Sequence, residues 1–318
     1  MLYLSLMHKY GIAIHGGAGN ISKKRINSEK EKKYKEILEI ALSQGINILK
    51  QGGKAIDAIS EAIIILEDSS LYNAGKGAVF TSDEENEHDA SIMDGSNLKA
   101  GSVGCSKYIK NPILLSKTIL YKSSHVMLVG KGAYDFAKLN NLEIMPKSYF
   151  YDEYRYQQLL KVQRLGKTIL DNDDYDDDDD DSKYGTVGAV ALDINGNLAA
   201  GTSTGGIVNK KHGRVGDSAI IGCGTYANNE TCAISCTGKG ESFIINTVAH
   251  EISCKIKYQN KTLKDAADDL IYKILDTRES RGGLIGINNK CKIVMPFNTR
   301  GMYRGFMNSN NESFISIF

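Results

Sequence analysis

The chain has 318 residues, of which 42% are hydrophobic and 24% are charged, and its formal net charge is +1. This composition is ordinary for a globular protein, and the balanced charge argues against partners such as nucleic acid or anionic membranes. The longest apolar runs, such as AIIIL at Ala62–Leu66, are far too short to span a bilayer. His8 and Lys9 interrupt the apolar start of the chain, so we expect no secretion signal.

The six cysteines form no CxxC pair. In a chain of this size, scattered cysteines are typical of free thiols in a reducing compartment. We therefore expect a cytoplasmic protein. A zinc site is the less favoured alternative, because the histidines and cysteines do not have ligand spacing.

Taken in chain order, the first half alternates extended and helical patterns. Glycines at Gly52 and Gly53 end the first long helix. The predicted elements are a short strand followed by a glycine loop within 12–20, helices at 28–49 and 54–69, loops with short strands at 73–104, a helix at 113–123, a strand at 126–130, and helices at 133–141 and 153–170.

The second half begins with strands rich in small and β-branched residues. Asn195-Gly196 is a strong signal for a two-residue hairpin. The predicted elements are strands at 186–194, 197–204, 219–227 and 232–238, helices at 241–256 and 263–275, and a last hairpin within 282–297. Helices in the middle of each half, with strands around them, predict a layered sandwich of helices and sheets in a single domain over residues 1–318.

An almost purely acidic tract, DNDDYDDDDDDSK at Asp171–Lys183, separates the two halves. Such a self-repelling segment is typical of disorder, so we expect an acidic linker here. A calcium site is a weaker alternative, because the fixed spacing and the glycine turn of an EF-hand are lacking. The linker ends next to a buried-looking strand, which predicts a place where the chain is cut.

Thr186, directly after this linker, is a candidate nucleophile. A threonine hydroxyl needs a base to take its proton, and no histidine is near it in the sequence. A free α-amino group on the same residue would serve, since it titrates near ~8. The Gly185–Thr186 bond would first have to break, and Gly185 suits such a position because it tolerates unusual backbone angles. Taken alone, a threonine near the start of a strand is ordinary β-propensity.

Three further clusters add to this hypothesis. Pairing of the two strands would bring Thr204 beside Thr186, where its hydroxyl would donate to the nucleophile; simple cross-strand threonine pairing is the alternative. In GRVGDS, Arg214 and Asp217 suit the α-carboxylate and α-amine of an amino acid, or an internal salt bridge. In CTGKGES, Thr237 and the N–H of Gly238 suit an oxyanion hole, whereas a phosphate loop would need a longer motif.

These residues belong to six motifs that occur in order along the chain. The motifs are IHGGAGN, NAGKGAVFTSDEENEHDASIMDG, GTVGAVALD, GNLAAGTSTGG, GRVGDS and CTGKGES. Together they resemble plant-type L-asparaginases with isoaspartyl peptidase activity, which are N-terminal nucleophile hydrolases. The resemblance implies the α+β class, with a four-layer αββα sandwich. It also implies cleavage into an α subunit, 1–185, and a β subunit, 186–318, with two such pairs assembled as a dimer of αβ heterodimers.

By the same resemblance, Thr186 is the nucleophile with Thr204 beside it, Gly240 lines the substrate site, and Asn73 lies near the nucleophile. The segment LEDSSLYNAGKG is similar to the sodium loop of the family, whose backbone carbonyls hold a structural cation. The corresponding candidates are Leu66, Glu67, Ser69, Tyr72, Ala74 and Lys76. No organic cofactor is implied, and a plain helix-ending loop is the alternative for this segment.

The expected activity is hydrolysis of the β-amide of L-asparagine and of β-aspartyl dipeptides, with release of L-aspartate. Three alternatives stay open at the level of sequence. They are a glycosylasparaginase-like amidohydrolase, a threonine endopeptidase of the same superfamily, and an unprocessed, inactive scaffold.

Overall fold

The protein is described by a computed structural model that covers residues 9–23, 26–164, 185–276 and 280–318. The helices are α1 Ser28–Lys50, α2 Ala55–Glu67, α3 Pro112–Lys122, α4 Gly130–Leu139, α5 Glu153–Arg164, α6 Gly240–Ile245, α7 Val248–Gln259 and α8 Leu263–Asp269, the last continued by a π-helical turn at Leu270–Ile274. The strands are β1 Gly11–Gly19, β2 His88–Asp94, β3 Ala100–Ser106, β4 Met127–Val129, β5 Val187–Leu192, β6 Leu198–Thr204, β7 Thr225–Ala227, β8 Cys232–Gly238, β9 Gly282–Asn288, β10 Ile293–Val294, β11 Gly301–Asn308 and β12 Ser313–Ser316.

These strands form two sheets. The larger has eight strands in the order β12-β11-β1-β5-β6-β2-β3-β4, and the smaller has four in the order β10-β9-β8-β7. Pairing is antiparallel except at the β3–β4 edge, which is parallel. The central strands β1 and β5 come from distant parts of the sequence, whereas β5 and β6 form a hairpin. The β1–β5 pairing places the end of β1 beside the start of β5.

The two sheets face each other, and helices cover their outer faces. Apolar side chains between the sheets include Val190 of β5 and Ile285 of β9. A second core joins α1 and α2 to the large sheet through residues such as Leu38 and Ile59. A third joins α7 and α8 to the small sheet. The layers therefore run helix, sheet, sheet, helix, which confirms the expected sandwich.

Small residues let the two sheets approach closely at β5. All six residues of this strand, VGAVAL, are buried, because one face meets helices and the other meets the small sheet. A Cβ added at Gly188 would lie 2.0 Å from the Ser235 hydroxyl oxygen of β8. Larger side chains would separate the sheets and the groups held between them.

Most predicted elements of the first half are confirmed, and α1 and α2 lie within two residues of their predicted bounds at each end. The glycine loop predicted after the first strand is wrong, because β1 continues through the glycines to Gly19. The helix predicted at 153–170 is described as far as Arg164. The acidic linker, 171–183, lies outside the described residues.

Three predictions in the second half need correction. The helix predicted at 241–256 is broken at Thr247, which has a left-handed backbone (φ 44°, ψ 47°). Only Thr225–Ala227 of the strand predicted at 219–227 is extended. The hairpin at Asn195-Gly196 is longer than two residues, since Gly196 alone of the pair is left-handed and the closing bonds join residues 193 and 197.

The last two strands, β11 and β12, were not predicted, although β11 pairs along the whole length of β1. Within the described ranges, no helix has the length and apolar character needed to cross a membrane.

Candidate active site

Thr186 is the residue directly before β5, at the centre of the large sheet. The β5–β6 register pairs Val187 with Ser203, so the next position places Thr186 opposite Thr204, as the strand-pairing argument predicts. The Thr186 hydroxyl donates to Thr204 Oγ1 at 3.1 Å, and Thr204 Oγ1 also accepts from the N–H of Gly206 at 3.0 Å. Thr204 was expected to be the donor, but in the intact chain it accepts both bonds.

Gly185 occupies a position that only glycine fits. Its φ is +90°, a region that other residues rarely adopt. A Cβ added here would lie 2.3 Å from the Gly17 Cα of β1. Because β1 is a central strand, moving its backbone away would disturb its hydrogen bonds to the neighbouring strands. The peptide bond ahead of Thr186 is therefore held at a defined angle against β1.

A single pocket brings together residues from all six motifs. Its lining includes Gly185, Thr186 and every predicted catalytic and substrate-binding residue: Asn73, Thr204, Thr237, Gly238, Arg214, Asp217 and Gly240. Four further lining residues were not predicted: Ala18, Gly206, Ile207 and Gly216. Glycines contribute much of the wall, so backbone lies close to whatever the pocket binds.

Arg214 is held along one edge by an acidic residue of α6. Its Nε and Nη2 donate to the two carboxylate oxygens of Glu241, each at 3.1 Å. Gly216 lies beside the remaining nitrogen, since a Cβ there would lie 2.9 Å from Arg214 Nη1. The ion pair in this structure thus joins Arg214 to Glu241. Its Nη1 lies beside a glycine of the pocket wall, and a guanidinium N–H donates well to a carboxylate.

Asp217 supplies an acceptor that the protein itself does not use. The residue is 4% exposed, and its Oδ2 has no hydrogen-bond partner among the described residues. Burial raises the pKa of Asp217 to about 7, against the opposing effect of nearby Arg214. Gly240 keeps this carboxylate reachable, because a Cβ at that position would lie 3.0 Å from Oδ1. An ammonium group would satisfy this buried acceptor and favour its ionised form.

Thr237 and Asn73 are fixed by bonds to the backbone of other elements. Thr237 Oγ1 accepts from the N–H of Ala18 at 3.2 Å, which leaves its own proton available as a donor. Asn73 donates to the carbonyl of Gly206 at 2.7 Å and accepts from Val79 N–H at 3.0 Å. Thr237 can therefore stabilise an oxyanion, while Asn73 holds the turn that follows β6.

A buried histidine that sequence reasoning missed lies behind Thr186. His15 of β1 is fully buried, with Nδ1 3.0 Å from the carbonyl oxygen of Thr186 and Nε2 2.9 Å from the Ser235 hydroxyl. Burial lowers the pKa of His15 to about 3, so the ring is neutral at physiological pH. A neutral ring whose Nδ1–H donates to Thr186 and whose Nε2 accepts from Ser235 satisfies both contacts. His15 thus positions the backbone of Thr186.

The network continues between the two sheets, from Ser235 of β8 to Thr202 of β6 and Thr225 of β7. Ser235 Oγ lies 2.7 Å from Thr202 Oγ1, and Thr202 Oγ1 lies 2.6 Å from Thr225 Oγ1. His15 and Ser235 are 220 residues apart in sequence, so only the fold brings them together. The available signal was the histidine within the IHGGAGN motif.

The predicted cation loop brings backbone carbonyls together around a glycine turn. A Cβ added at Gly77 would lie 2.1 Å from the Tyr72 carbonyl oxygen and 2.9 Å from that of Ser70, and one at Gly75 would lie 2.5 Å from that of Glu67. Carbonyl oxygens are the ligands that suit hard cations. Ser70 was not among the predicted residues.

Three carbonyls of this loop take part in its turns. Those of Leu66, Tyr72 and Ala74 accept hydrogen bonds from the N–H groups of Ser69, Ala74 and Gly77, in that order. Elsewhere in the part of the chain that the structure describes, no group of three or more His, Cys, Asp or Glu side chains is placed to hold a metal.

The sandwich of two facing sheets between helical layers, with a threonine at the start of a central strand, is the architecture of N-terminal nucleophile hydrolases. Residues 8–317 match the family model described as Asparaginase. The chain therefore belongs to the asparaginase family that this model defines.

Curated relatives cover almost the whole chain. It is 45% identical to a putative isoaspartyl peptidase/L-asparaginase of Dictyostelium discoideum, over 95% of this chain and 94% of the relative. It is 44% identical to the isoaspartyl peptidase of Escherichia coli K12, over 94% and 93%. It is 42% identical to an isoaspartyl peptidase/L-asparaginase of Bos taurus, over 87% and 86%.

Proposed function

We propose that this protein is a self-cleaving amidohydrolase that acts on the β-amide of L-asparagine and on β-aspartyl dipeptides. The observation that carries the proposal is the placement of the Thr186 hydroxyl, 3.1 Å from Thr204 Oγ1, in one pocket with the Arg214 guanidinium and the Asp217 carboxylate. These groups complement a carbonyl to be attacked, an α-carboxylate and an α-ammonium. The names of the relatives agree with this substrate class.

Activation begins with attack of Thr186 Oγ1 on the carbonyl carbon of Gly185. The hydroxyl proton passes to the departing nitrogen as the Gly185–Thr186 amide breaks, and an ester joins Gly185 to Thr186 Oγ1. Water then hydrolyses the ester, which leaves a carboxylate on Gly185 and a free amine on Thr186. The products are the pieces 1–185 and 186–318. The close approach of Gly185 to the backbone of Gly17 in β1 supports this step, because it holds the bond to be cleaved in one orientation beside the Thr186 hydroxyl.

Turnover uses the new amine as the base. It takes the proton of Thr186 Oγ1 as the oxygen attacks the side-chain carbonyl of the substrate. The developing oxyanion is stabilised by the Thr237 hydroxyl and the Gly238 N–H. The proton then passes to the leaving nitrogen as the amide bond breaks, and water frees L-aspartate from the ester.

In this scheme, Arg214 and Asp217 bind only the aspartyl part of the substrate and do not contact the leaving group. The leaving group is ammonia when asparagine is bound, and an amino acid when a β-aspartyl dipeptide is bound. An empty, buried acceptor at Asp217 supports recognition of the α-ammonium. No organic cofactor takes part in any step.

Denaturing gel electrophoresis and an aspartate-release assay test the proposal together. The purified protein should give two bands, of 185 and 133 residues, and should release L-aspartate from L-asparagine and β-aspartyl-leucine. Thr186→Ala should give one full-length band and no release. Thr118→Ala is a matched control, because the Thr118 hydroxyl donates to the carbonyl of Leu114 in its own helix. This variant should behave as the unmodified protein.

The alternatives predict different results from the same assays. A single band that persists on incubation would support an inactive scaffold. Release of aspartate from a glycosylated asparagine in preference to both other substrates would support a glycosylasparaginase-like enzyme. Release of aspartate by the Thr186→Ala variant would overturn the assignment of the nucleophile.

A sodium ion bound by the 66–77 loop is a further part of the proposal. The carbonyls of Ser70 and Tyr72, which both lie close to Gly77, and that of Glu67, which lies close to Gly75, support it. Such an ion would order the loop that carries Asn73 and would supply no chemistry. Replacing sodium with choline at constant ionic strength should lower the melting temperature, whereas an unchanged melting temperature would count against the ion.

Assembly as a dimer of αβ heterodimers and a cytoplasmic location complete the proposal. The location is supported by the six cysteines, all of which are free thiols in the described part of the chain. Analytical ultracentrifugation of the cleaved protein tests the assembly, and fractionation of cells that express it tests the location.

A further inference from the structure

A fully buried lysine lies near the pocket around Thr186 without lining it. Lys210 is 0% exposed and is among the largest side chains that solvent does not reach. The segment that carries it is fixed by backbone contacts, since the N–H of Ser82 donates to the Lys210 carbonyl at 2.9 Å and a parallel β-bridge joins Lys210 to Thr81. The fold therefore holds this side chain in one place.

The ammonium group of Lys210 has no carboxylate partner. Its Nζ donates to the backbone carbonyl of Glu87 at 3.0 Å, and within the described ranges it forms no ion pair. Asp89, a buried carboxylate of the same region, instead accepts from the N–H groups of Cys105 and Gly216, both at 2.9 Å. A buried charge without a partner is costly, and a negative ligand in the neighbouring pocket would reduce that cost.

Gly206 lies next to both the Lys210 ammonium and the pocket. It lines the pocket together with Arg214. A Cβ added at Gly206 would lie 3.0 Å from Lys210 Nζ and 3.4 Å from Arg214 Nη1, so the two cationic groups lie close to the same point of the pocket wall. Charges interact more strongly through buried protein than through water. The charge of Lys210 therefore acts on whatever binds beside Arg214.

The α-carboxylate of the proposed substrate is the group that this charge suits. The charge of Arg214 is already matched by Glu241, through two hydrogen bonds of 3.1 Å. The carboxylate of Asp217 receives the α-ammonium of the substrate in the proposed complex. The α-carboxylate near Arg214 Nη1 is then left without a counter-charge of its own, and Lys210 is a nearby cation that is not already in an ion pair.

We propose that Lys210 is a specificity-determining residue for the α-carboxylate of the substrate, an inference that rests on the proposed function. Lys210 does not touch the substrate. Its charge acts across Gly206, stabilises the α-carboxylate beside Arg214, and favours aspartyl compounds over analogues that lack this carboxylate. Because the α-carboxylate does not change during the reaction, loss of the charge should raise the KM for L-asparagine and leave kcat nearly unchanged.

Isothermal titration calorimetry of the purified protein tests this role with L-aspartate and β-alanine, which is aspartate without its α-carboxylate. The ratio of the β-alanine dissociation constant to the L-aspartate constant measures how strongly the α-carboxylate is bound. Lys210→Met keeps the length of the side chain and removes its charge, so it should lower this ratio about fivefold or more. Lys211→Met is the matched control, because Lys211 is the next residue of the same loop but is exposed, and it should leave the ratio unchanged.

Steady-state kinetics and a denaturing gel separate this role from a structural one. Lys210→Met should still cleave itself, and its KM for L-asparagine should rise by a similar factor at nearly constant kcat. An unchanged ratio in Lys210→Met would overturn the role of Lys210 alone, whereas equal binding of both ligands by the unmodified protein would overturn the proposed function.

Lys210→Gln is a second uncharged variant, with the same expected fall in the ratio, in case Lys210→Met does not fold. Failure of both variants to fold would show that Lys210 serves the fold rather than the substrate, and it would overturn the inference as well.

Discussion

At the scale of single residues, the proposed self-cleavage depends most directly on the backbone geometry of Gly185. Gly185→Ala should abolish self-cleavage, because the added Cβ would lie 2.3 Å from the backbone of Gly17 and would also strain a φ of +90°. Either the scissile carbonyl moves away from Thr186 or β1 moves. The measurement is the fraction of cleaved chain on a denaturing gel over several days.

Gly196→Ala is the matched control for this prediction. Gly196 has a similar left-handed φ of +80°, but a Cβ there would meet nothing within 4 Å. This variant should lose about 1 kcal/mol of stability and should still cleave fully. Normal cleavage of Gly185→Ala would show that the close contact with β1 does not position the bond.

The raised pKa of Asp217 predicts that ligand affinity depends on pH. Its pKa is raised by burial to about 7, so in the empty site the carboxyl is mostly protonated at pH 5.5 and mostly ionised at pH 8. The ionised form binds an ammonium, so the affinity for L-aspartate should rise with pH up to about 7, on the order of tenfold per unit at the acidic end.

Competitive inhibition constants of L-aspartate and succinate, measured between pH 5.5 and 7.5, test this assignment. Succinate lacks the amine but is subject to the same titration of the Thr186 amine. The ratio of the succinate constant to the aspartate constant should therefore rise with pH. A constant ratio would mean that Asp217 does not receive the α-ammonium.

At the scale of elements, the break between α6 and α7 gives a test of stability. Thr247 is exposed and β-branched, yet it has a left-handed backbone, which costs about 1–2 kcal/mol for such a residue. Asparagine tolerates this region better, so Thr247→Asn should raise the melting temperature by roughly 1–2 °C.

The opposite substitution, asparagine to threonine, can be made at the other end of α7. Asn260 follows α7 and is left-handed at φ 53°, so Asn260→Thr should lower the melting temperature by a similar amount. Differential scanning fluorimetry on both variants measures the pair. Shifts of the same sign in both variants would show that backbone strain is not the controlling factor.

Elements defined by local pattern could be predicted, and those defined by distant partners could not. Helix α1 has an apolar stripe and an Asn27 N-cap whose side chain accepts from Lys30 N–H, and both features are readable in sequence. Strand β11 was missed because Arg304 interrupts its apolar alternation. In the structure this guanidinium lies over the Phe297 ring, 4.5 Å from its centroid. The alternation of apolar and polar residues in the sequence does not indicate this contact.

The same distinction applies to the candidate site. Thr186, Thr204, Arg214 and Asp217 were readable because each lies in a short motif with recognisable chemistry, and the Thr186–Thr204 contact followed from hairpin register. The role of His15 could not be predicted from the sequence, because it depends on contacts that form only in the folded protein. Its two partners, Thr186 and Ser235, belong to two different sheets.

At the scale of the whole molecule, the cut proposed at residue 185 would separate two pieces that are interleaved in one sheet. Strand β1, from the first piece, pairs with β11 on one side and β5 on the other, both from the second piece. Strand β2, from the first piece, pairs with β6 from the second. The core between α1, α2 and the large sheet also combines residues such as Leu38 and Ala189 from both pieces.

Neither piece can therefore bury its own strands, and the cleaved protein should behave as one folding unit. The pieces 1–185 and 186–318 should elute together in size-exclusion chromatography under native conditions, at the same volume as the uncleaved Gly185→Ala protein. They should separate only in denaturant, in a single cooperative transition, because loss of β1 would leave both β5 and β11 without a partner on one edge. Elution of either piece alone from native buffer would contradict the interleaved sheet as the source of cohesion.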